Sequence, residues 1–371
     1  MGMRVAAAVL DDYGRLGIEE LELAAPRARE VVVRLAAAGV CHSDYHVFSG
    51  DLPLPVPMVL GHEGAGRVVA VGEQVSDVAV GDAVVLSWLP ACGRCAQCLR
   101  GRPELCGVAA RAAEHGTLPG GHTAFRRKAG EPVYQFSLTG AFAEATVVPE
   151  AGVVRLPEGT DLESAALLGC SVLTGTGAVW RTAAVRPGES IAVFGAGGVG
   201  LNALQAARLV SAYPRIAVDV QPRRLEAARA LGATHVVAAA QDSPLDRILE
   251  LTGGEGVDVA VEAVGRPETI AQAFNATRAG GRAVVVGVAP PHAEVALNAF
   301  AFPSQEKALL GCWYGQSHPQ RDVPALLRLH AAGALDLGSL VSRRFRLPDL
   351  PAAFEDMLAG TVNRALIVFG D

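Results

Sequence analysis

Residues 190–200 read Ser190-Ile191-Ala192-Val193-Phe194-Gly195-Ala196-Gly197-Gly198-Val199-Gly200, an apolar run that passes straight into G-x-G-x-x-G. The run suits a short buried strand, and the Ala- and Leu-rich stretch beyond Gly200 suits a helix. In that setting Gly195 permits a tight turn, Gly197 lets the backbone approach a pyrophosphate, and Gly200 lets the helix pack closely on the strand. Gly198 and Val199 then belong to a helix N-terminus, where free amides and the positive dipole end favour phosphate. The next strand-like run ends at Asp219, about 20 residues past the last glycine, where a carboxylate binds adenosine ribose hydroxyls and repels a 2′-phosphate. The motif predicts NAD rather than NADP, although Arg223 and Arg224 follow closely and could accommodate extra phosphate charge. The competing reading is a glycine-rich turn that binds no nucleotide.

Outward from this motif, the chain changes rhythm near residue 172. Before it, short β-type runs broken by glycine and proline (Glu30 to Leu35, Gly66 to Val71, Gly81 to Leu86, Ala143 to Val148) predict a small, largely antiparallel domain. After it, Ile191 to Phe194, Ile216 to Val218, His235 to Ala238, Val257 to Val261 and Ala283 to Val288 read as buried strands separated by helical stretches. That alternation predicts βαβ crossovers and a doubly wound parallel sheet, hence an α/β fold class. Asp322 to Ala331 and Leu350 to Ala359 read as helices and Ala365 to Phe369 as a strand, outside the repeat.

The 371 residues suit two domains, since about 150 residues per domain is the usual scale. Half the residues are hydrophobic, 19% are charged and the net charge is −6, so no basic patch points to nucleic acid or a lipid surface. The N-terminus lacks the pattern of a secretory signal and no apolar window is long enough to span a membrane, so a cytoplasmic location is expected. Seven cysteines, an odd number, then point to metal or thiol chemistry before disulfides.

Four of them form C-x2-C-x2-C-x7-C at Cys92, Cys95, Cys98 and Cys106. Four thiolates so close together suit a tetrahedral zinc with no position left for substrate, which makes the site structural. An iron–sulfur cluster and a set of inert thiols are the other readings. Cys41, His62 and Cys170 together offer a Cys, His, Cys ligand set that leaves a fourth zinc position open. A zinc so held lowers the pKa of an alcohol and prepares it to lose hydride to a nicotinamide.

These motifs resemble the zinc-containing medium-chain dehydrogenase/reductase family, specifically alcohol dehydrogenases of the liver, aryl-alcohol and thiol-dependent formaldehyde dehydrogenase types. The resemblance is carried by Cys41-His42-Ser43-Asp44-Tyr45-His46, Gly61-His62-Glu63-Gly64-Ala65-Gly66, the four-cysteine lobe, Gly169-Cys170-Ser171-Val172-Leu173-Thr174-Gly175 and Gly195 to Gly200. It implies a GroES-like catalytic domain over residues 1–171 with a zinc lobe near 90–108, a Rossmann domain over 172–314, and a segment 315–371 that returns to the catalytic domain.

Carried onto this sequence, the resemblance implies a catalytic zinc on Cys41, His62 and Cys170 and a structural zinc on the four-cysteine lobe, two ions per chain. It places Glu63 behind the catalytic ion and assigns Ser43 and His46 to a proton relay. His42 and Arg364 fall at cofactor pyrophosphate contacts, Thr174 and Val286 at the nicotinamide, and Trp88 and Phe136 at the substrate pocket. Two departures stand out: Ser171 occupies a usual glycine position, and Ala110, with Arg111 adjacent, stands where glutathione-dependent formaldehyde dehydrogenases carry an arginine.

The implied reaction is reversible oxidation of a primary, benzylic or medium-chain alcohol to an aldehyde with NAD, by a homodimer or homotetramer. A formaldehyde dehydrogenase using mycothiol or glutathione is the enzymatic alternative. A non-catalytic nucleotide-binding relative is the alternative of another class.

Overall fold

The computed structural model describes residues 2–370. The chain forms two compact units, one comprising the chain up to Cys170 with His318–Arg328 and the chain from Leu337 onward, the other Ser171–Ser317 with Leu329–Asp336.

In the first unit a closed barrel runs through strands Met3–Asp12, Arg15–Leu23, Phe125–Arg126, Pro132–Gln135 and Met58–Val59. A second sheet runs Val153–Arg155, Ala83–Leu86, Glu63–Val71, Glu30–Gly39, Arg364–Val368, Val341–Phe345, with Ala145–Pro149 also paired to Glu30–Gly39. Alternate side chains of a strand face opposite sides, and two cores follow from that. Val31, Val33 and Leu35 enter one cluster with Leu10, Leu60 and Phe142. Val32 enters the other with Val5, Val9 and Phe125. The strand Glu30–Gly39 reads as an almost continuous apolar run because both of its faces are covered. The strand Arg364–Val368 lies antiparallel to it, with Leu366 opposite Gly39. The last strand is therefore in register with residues near Cys41, which the sequence pattern alone did not show.

The second unit holds a six-stranded sheet in the order His235–Ala238, Arg215–Asp219, Ile191–Phe194, Val257–Glu262, Thr277–Val285, Ala308–Gly311, with every pairing parallel. This is the doubly wound order whose switch point lies beside the first strand. Phe194, Ile216, Ile248 and Phe274 pack in its core. The fifth strand ends at Val285, short of the expected Val288, because the Val286 and Gly287 amides turn to the Glu262 carbonyl at 2.8 and 3.0 Å. Leu329–Asp336, expected to go with the rest of the C-terminal segment, joins this unit instead. Gln205 exchanges hydrogen bonds with the Asp336 backbone at 2.9 and 2.8 Å, and Arg208 donates to the Ala334 carbonyl at 2.8 Å. Among the described residues no single helix is long and apolar enough to cross a membrane.

Candidate active site, metal centres and cofactor loop

Cys41 follows the strand Glu30–Gly39 and caps the helix His42–Ser49 in extended backbone. At the third helical residue Asp44 turns back and accepts the Cys41 amide at 3.1 Å, the return half of a capping box. Its other oxygen accepts the Gly61 amide at 3.1 Å and meets His62 Nδ1 at 2.9 Å. Asp44 is fully buried, so its charge needs these partners. A proton on His62 Nδ1 leaves Nε2 unprotonated for a metal. Burial disfavours the imidazolium, but the Asp44 carboxylate and Cys41 outweigh it and push His62 well above its usual pKa. Asp44 was absent from the sequence-derived site. Its signal was a carboxylate three residues after Cys41, where a capping box places one.

Glu63 opens the strand Glu63–Val71 opposite Gly39. A side chain at position 39 would put its Cβ 2.3 Å from Glu63 Oε2, so glycine is required for the carboxylate to lie there. Nothing in the local sequence announces that requirement. Glu63 pairs with the guanidinium of Arg364, the first residue of the strand beside Glu30–Gly39, and both side chains are buried. Burial raises the Glu63 carboxyl to about 7, more than the nearby Arg364 charge offsets. Among the described residues its Oε1 and the Arg364 Nε have no hydrogen-bond partner. Arg364, which the resemblance places on the cofactor pyrophosphate, thus has its terminal nitrogen engaged with Glu63.

Cys170 ends the turn Leu167–Gly169. The ligand atoms of Cys41, His62, Glu63 and Cys170 all lie within 4.8 Å of one another, and all four residues are buried. The Cys41 thiol is held well below its usual pKa, first by its hydrogen bond with Cys170, whereas Cys170 is pushed up by that same bond and by burial. Buried thiols and an oriented imidazole with an unsatisfied carboxylate oxygen behind them fit a metal ion better than any arrangement of neutral groups.

Two aromatic edges meet the His62 ring. The Phe136 centroid is 5.4 Å away at 89° and that of Trp88 6.3 Å away at 87°. Ser43 Oγ lies 3.8 Å from Cys41 Sγ. His46 sits one turn along the same helix, with Nδ1 3.5 Å from the Asp51 carboxylate. His42 is exposed at the helix start, its ring 6.5 Å from that of His46. Ala110 and Arg111 lie on the helix Gly107–Glu114, with Arg111 exposed.

The second cluster is the cysteine lobe. Cys92, Cys95, Cys98 and Cys106 also converge within 4.8 Å. The Cys95 amide points at Cys92 Sγ and the Cys92 amide at Cys106 Sγ, each at 3.3 Å. Backbone amides of Cys98 and Gly107 lower Cys95 to about 6, whereas burial and the neighbouring thiols raise Cys98 to about 12. Four thiols so crowded cannot all ionise without a cation among them.

In the second unit Gly195 takes φ +91° and its amide donates to the Val218 carbonyl at 2.8 Å. A Cβ on Gly200 would sit 1.8 Å from the Gly195 carbonyl oxygen, the close packing of helix Gly198–Leu209 on the loop. A Cβ on Gly197 would meet nothing within 4 Å, which leaves its backbone open to a ligand. Val199 is half-buried in the first turn of that helix. Asp219 accepts the Ala196 amide at 2.7 Å and the Gln221 amide at 2.9 Å, with the Arg224 guanidinium 3.9 Å away. Thr174 lies in the helix Ser171–Gly177, its buried hydroxyl without a hydrogen-bond partner among the described residues, and Val286 is half-buried just past the end of the fifth strand. An open glycine loop beside a buried carboxylate fits a dinucleotide.

Comparison with known proteins gives the family. Residues 27–158 match the alcohol dehydrogenase GroES-like domain and residues 198–332 the zinc-binding dehydrogenase domain. The chain is 38% identical to an NDMA-dependent alcohol dehydrogenase of Amycolatopsis methanolica, covering 99% of both chains. It is 36% identical to an S-(hydroxymethyl)glutathione dehydrogenase of Synechocystis sp., covering 98% of this chain and all of that one. Its fold superposes on the crystal structure of benzyl alcohol dehydrogenase from Acinetobacter calcoaceticus with a TM-score of 0.94, at 33% identity over 99% of this chain and all of the other.

Proposed function

Because the chain belongs to the zinc-containing medium-chain alcohol dehydrogenase family and is an oxidoreductase, we propose that it transfers hydride reversibly between a primary alcohol, benzylic or medium-chain, and NAD, giving the aldehyde. The observation that carries this is the convergence of Cys41, His62 and Cys170, with Phe136 and Trp88 edge-on to His62.

A zinc ion on those three residues would supply the Lewis acidity that makes a substrate hydroxyl acidic enough to ionise. NAD, held on the Gly195 to Gly200 loop with Asp219 toward its ribose, would supply the hydride acceptor. The protein's own residues do the rest. Asp44 holds the His62 ring in one tautomer, and Glu63 keeps a carboxylate beside the ligands under the hold of Arg364. Ser43 accepts the substrate proton and His46 passes it outward. Phe136 and Trp88 present flat apolar surfaces on which an aromatic or extended alcohol excludes water. Cys92, Cys95, Cys98 and Cys106 would hold a second zinc that fastens the lobe.

Among the described residues the sheet edge at Ala308–Gly311 has no further strand beside it, and Phe300 and Trp313 are 73% and 46% exposed. These features support a homo-oligomer, dimer or tetramer, which sedimentation velocity measures directly.

The deciding experiment follows NADH absorbance across aliphatic, benzylic and terpenoid alcohols, with and without mycothiol or glutathione. Turnover of benzylic or medium-chain alcohols without thiol supports the reading. Turnover of formaldehyde that requires a thiol replaces it with the formaldehyde dehydrogenase reading, which similarity to the Synechocystis enzyme favours. Two zinc ions per chain fit the enzyme; one, with no turnover, fits a non-catalytic nucleotide-binding relative.

A further inference from the structure

The turn that carries Phe136 is unusual. Ser137 and Leu138 adopt φ values of 50° and 59°, two consecutive non-glycine residues in the left-handed region, which side chains disfavour. Such a turn persists only where its surroundings hold it. Thr139, fully buried one position further on, hydrogen-bonds across it.

The Thr139 hydroxyl lies 2.9 Å from the Gly61 carbonyl oxygen and 3.0 Å from that of Phe136. Its one hydrogen is shared between, or alternates between, those acceptors. Gly61 immediately precedes His62, and its own amide is held by Asp44 at 3.1 Å. The hydroxyl therefore links the aromatic wall to the peptide that leads into His62. The Thr139 carbonyl is fixed in turn by the Thr146 hydroxyl. The Thr139 hydroxyl is not needed merely to satisfy those two carbonyls. The Gly61 carbonyl already accepts the Ala141 amide at 2.8 Å, and the Phe136 carbonyl accepts the Thr139 and Gly140 amides at 3.0 and 3.1 Å. The hydroxyl adds a lateral tie between two segments already paired. It joins the backbone of Phe136, whose ring centroid is 5.4 Å from that of His62, to the residue before His62.

We propose that Thr139 is a specificity-determining positioning residue, whose hydroxyl clamps Phe136 edge-on to His62 and so favours flat aromatic alcohols over aliphatic ones. The proposal rests on the alcohol dehydrogenase reading above. Thr139 touches no reacting atom; it acts through the ring.

The test compares Thr139→Val, which keeps the shape and removes the hydroxyl, with Thr139→Ser, which keeps the hydroxyl. The first readout is the ratio of kcat/KM for benzyl alcohol to that for 1-butanol on each protein. A ratio cancels the fraction of active enzyme, so general destabilisation leaves it unmoved. Poorer fit at an apolar pocket wall costs about tenfold in discrimination at the low end of what such contacts supply. Thr139→Val should lower the ratio roughly tenfold on that scale, while Thr139→Ser stays near the wild-type ratio. In a Phe136→Leu background, Thr139→Val should change the ratio no further.

The second readout needs no activity. Amide hydrogen exchange across residues 136–141 should quicken in Thr139→Val and not in Thr139→Ser. Wild-type protein that oxidises neither alcohol defeats the functional reading, and exchange then decides the clamp alone. An unmoved ratio with unmoved exchange in Thr139→Val overturns the proposal, as does Thr139→Ser behaving like Thr139→Val. If Thr139→Val yields no folded protein, Thr139→Ala carries the same expectations. Failure of both to fold would show that Thr139 supports the whole domain, which also overturns it.

Discussion

Asp44 binds His62 and Cys41 at once: one oxygen lies 2.9 Å from the His62 ring nitrogen and the other accepts the Cys41 amide at 3.1 Å. Two residues proposed to hold the catalytic zinc are thereby oriented by one buried carboxylate. Removing a partner of this kind typically costs about 10–100-fold in metal affinity or activity. Asp44→Ala should lose zinc from this site at chelator concentrations that wild type withstands, while the cysteine lobe keeps its ion. Competitive titration with a chromophoric chelator measures both; unchanged affinity would show that His62 needs no such partner.

The proton path should distinguish its two members. Ser43 lies beside Cys41, whereas bulk water or buffer can stand in for His46. General acid–base groups contribute about 10²–10⁴-fold, so Ser43→Ala should lose kcat/KM within that range. His46→Gln should lose less and recover in part at higher pH, where hydroxide and basic buffer accept the proton. A pH profile of kcat/KM for each variant decides, and near-normal turnover in Ser43→Ala removes it from the path.

Burial holds the Glu63 carboxyl at about 7 even beside Arg364, so without that guanidinium it stays protonated at neutral pH and is left as a buried charge only when the pH rises. Arg364→Met should therefore cost little near pH 6 and more as the pH is raised above 7, toward the roughly 3–5 kcal/mol of an uncompensated buried charge. Glu63→Gln combined with Arg364→Met should recover much of the loss, since neither partner is then charged. Denaturant unfolding of the three variants in the presence of zinc forms the cycle, and additive losses would mean the pair is not coupled.

The cysteine lobe should behave as a fastening. Cys95→Ser is expected to bind one zinc fewer and to melt earlier, with turnover at low temperature largely retained. Complete loss of turnover in a folded, normally assembled protein with the other site filled would falsify the structural assignment.

Cofactor choice should reside in Asp219. Its carboxylate already accepts the Ala196 and Gln221 amides, so it is held where a 2′-phosphate would meet like charge. Wild type should prefer NAD in kcat/KM. Asp219→Gly should narrow that preference, helped by Arg224 close at hand. A wild-type preference for NADP would place the determinant elsewhere.

What the sequence determined is what local chemistry can carry. The strand Ile191–Phe194 and the turn into Gly200 were legible because strand, glycines and helix are contiguous, with Gly195 at positive φ and Gly200 packed against the Gly195 carbonyl. The cysteine lobe was legible for the same reason: its four thiols are close along the chain and need only a short loop to converge. The doubly wound sheet followed from the alternation of buried strands and helices. The tertiary structure alone decided the rest. Arg364 lies 301 residues from Glu63 and meets it because Arg364–Val368 and Glu63–Val71 flank Glu30–Gly39 in one sheet. Gly39 is needed only because that register aims a carboxylate at its α-carbon, and Thr139 reaches Gly61 only because a strained turn folds back onto the segment before His62. Buried polar groups must find partners wherever the sheet register delivers them, and register is a property of the assembled strands, absent from the spacing of any one motif.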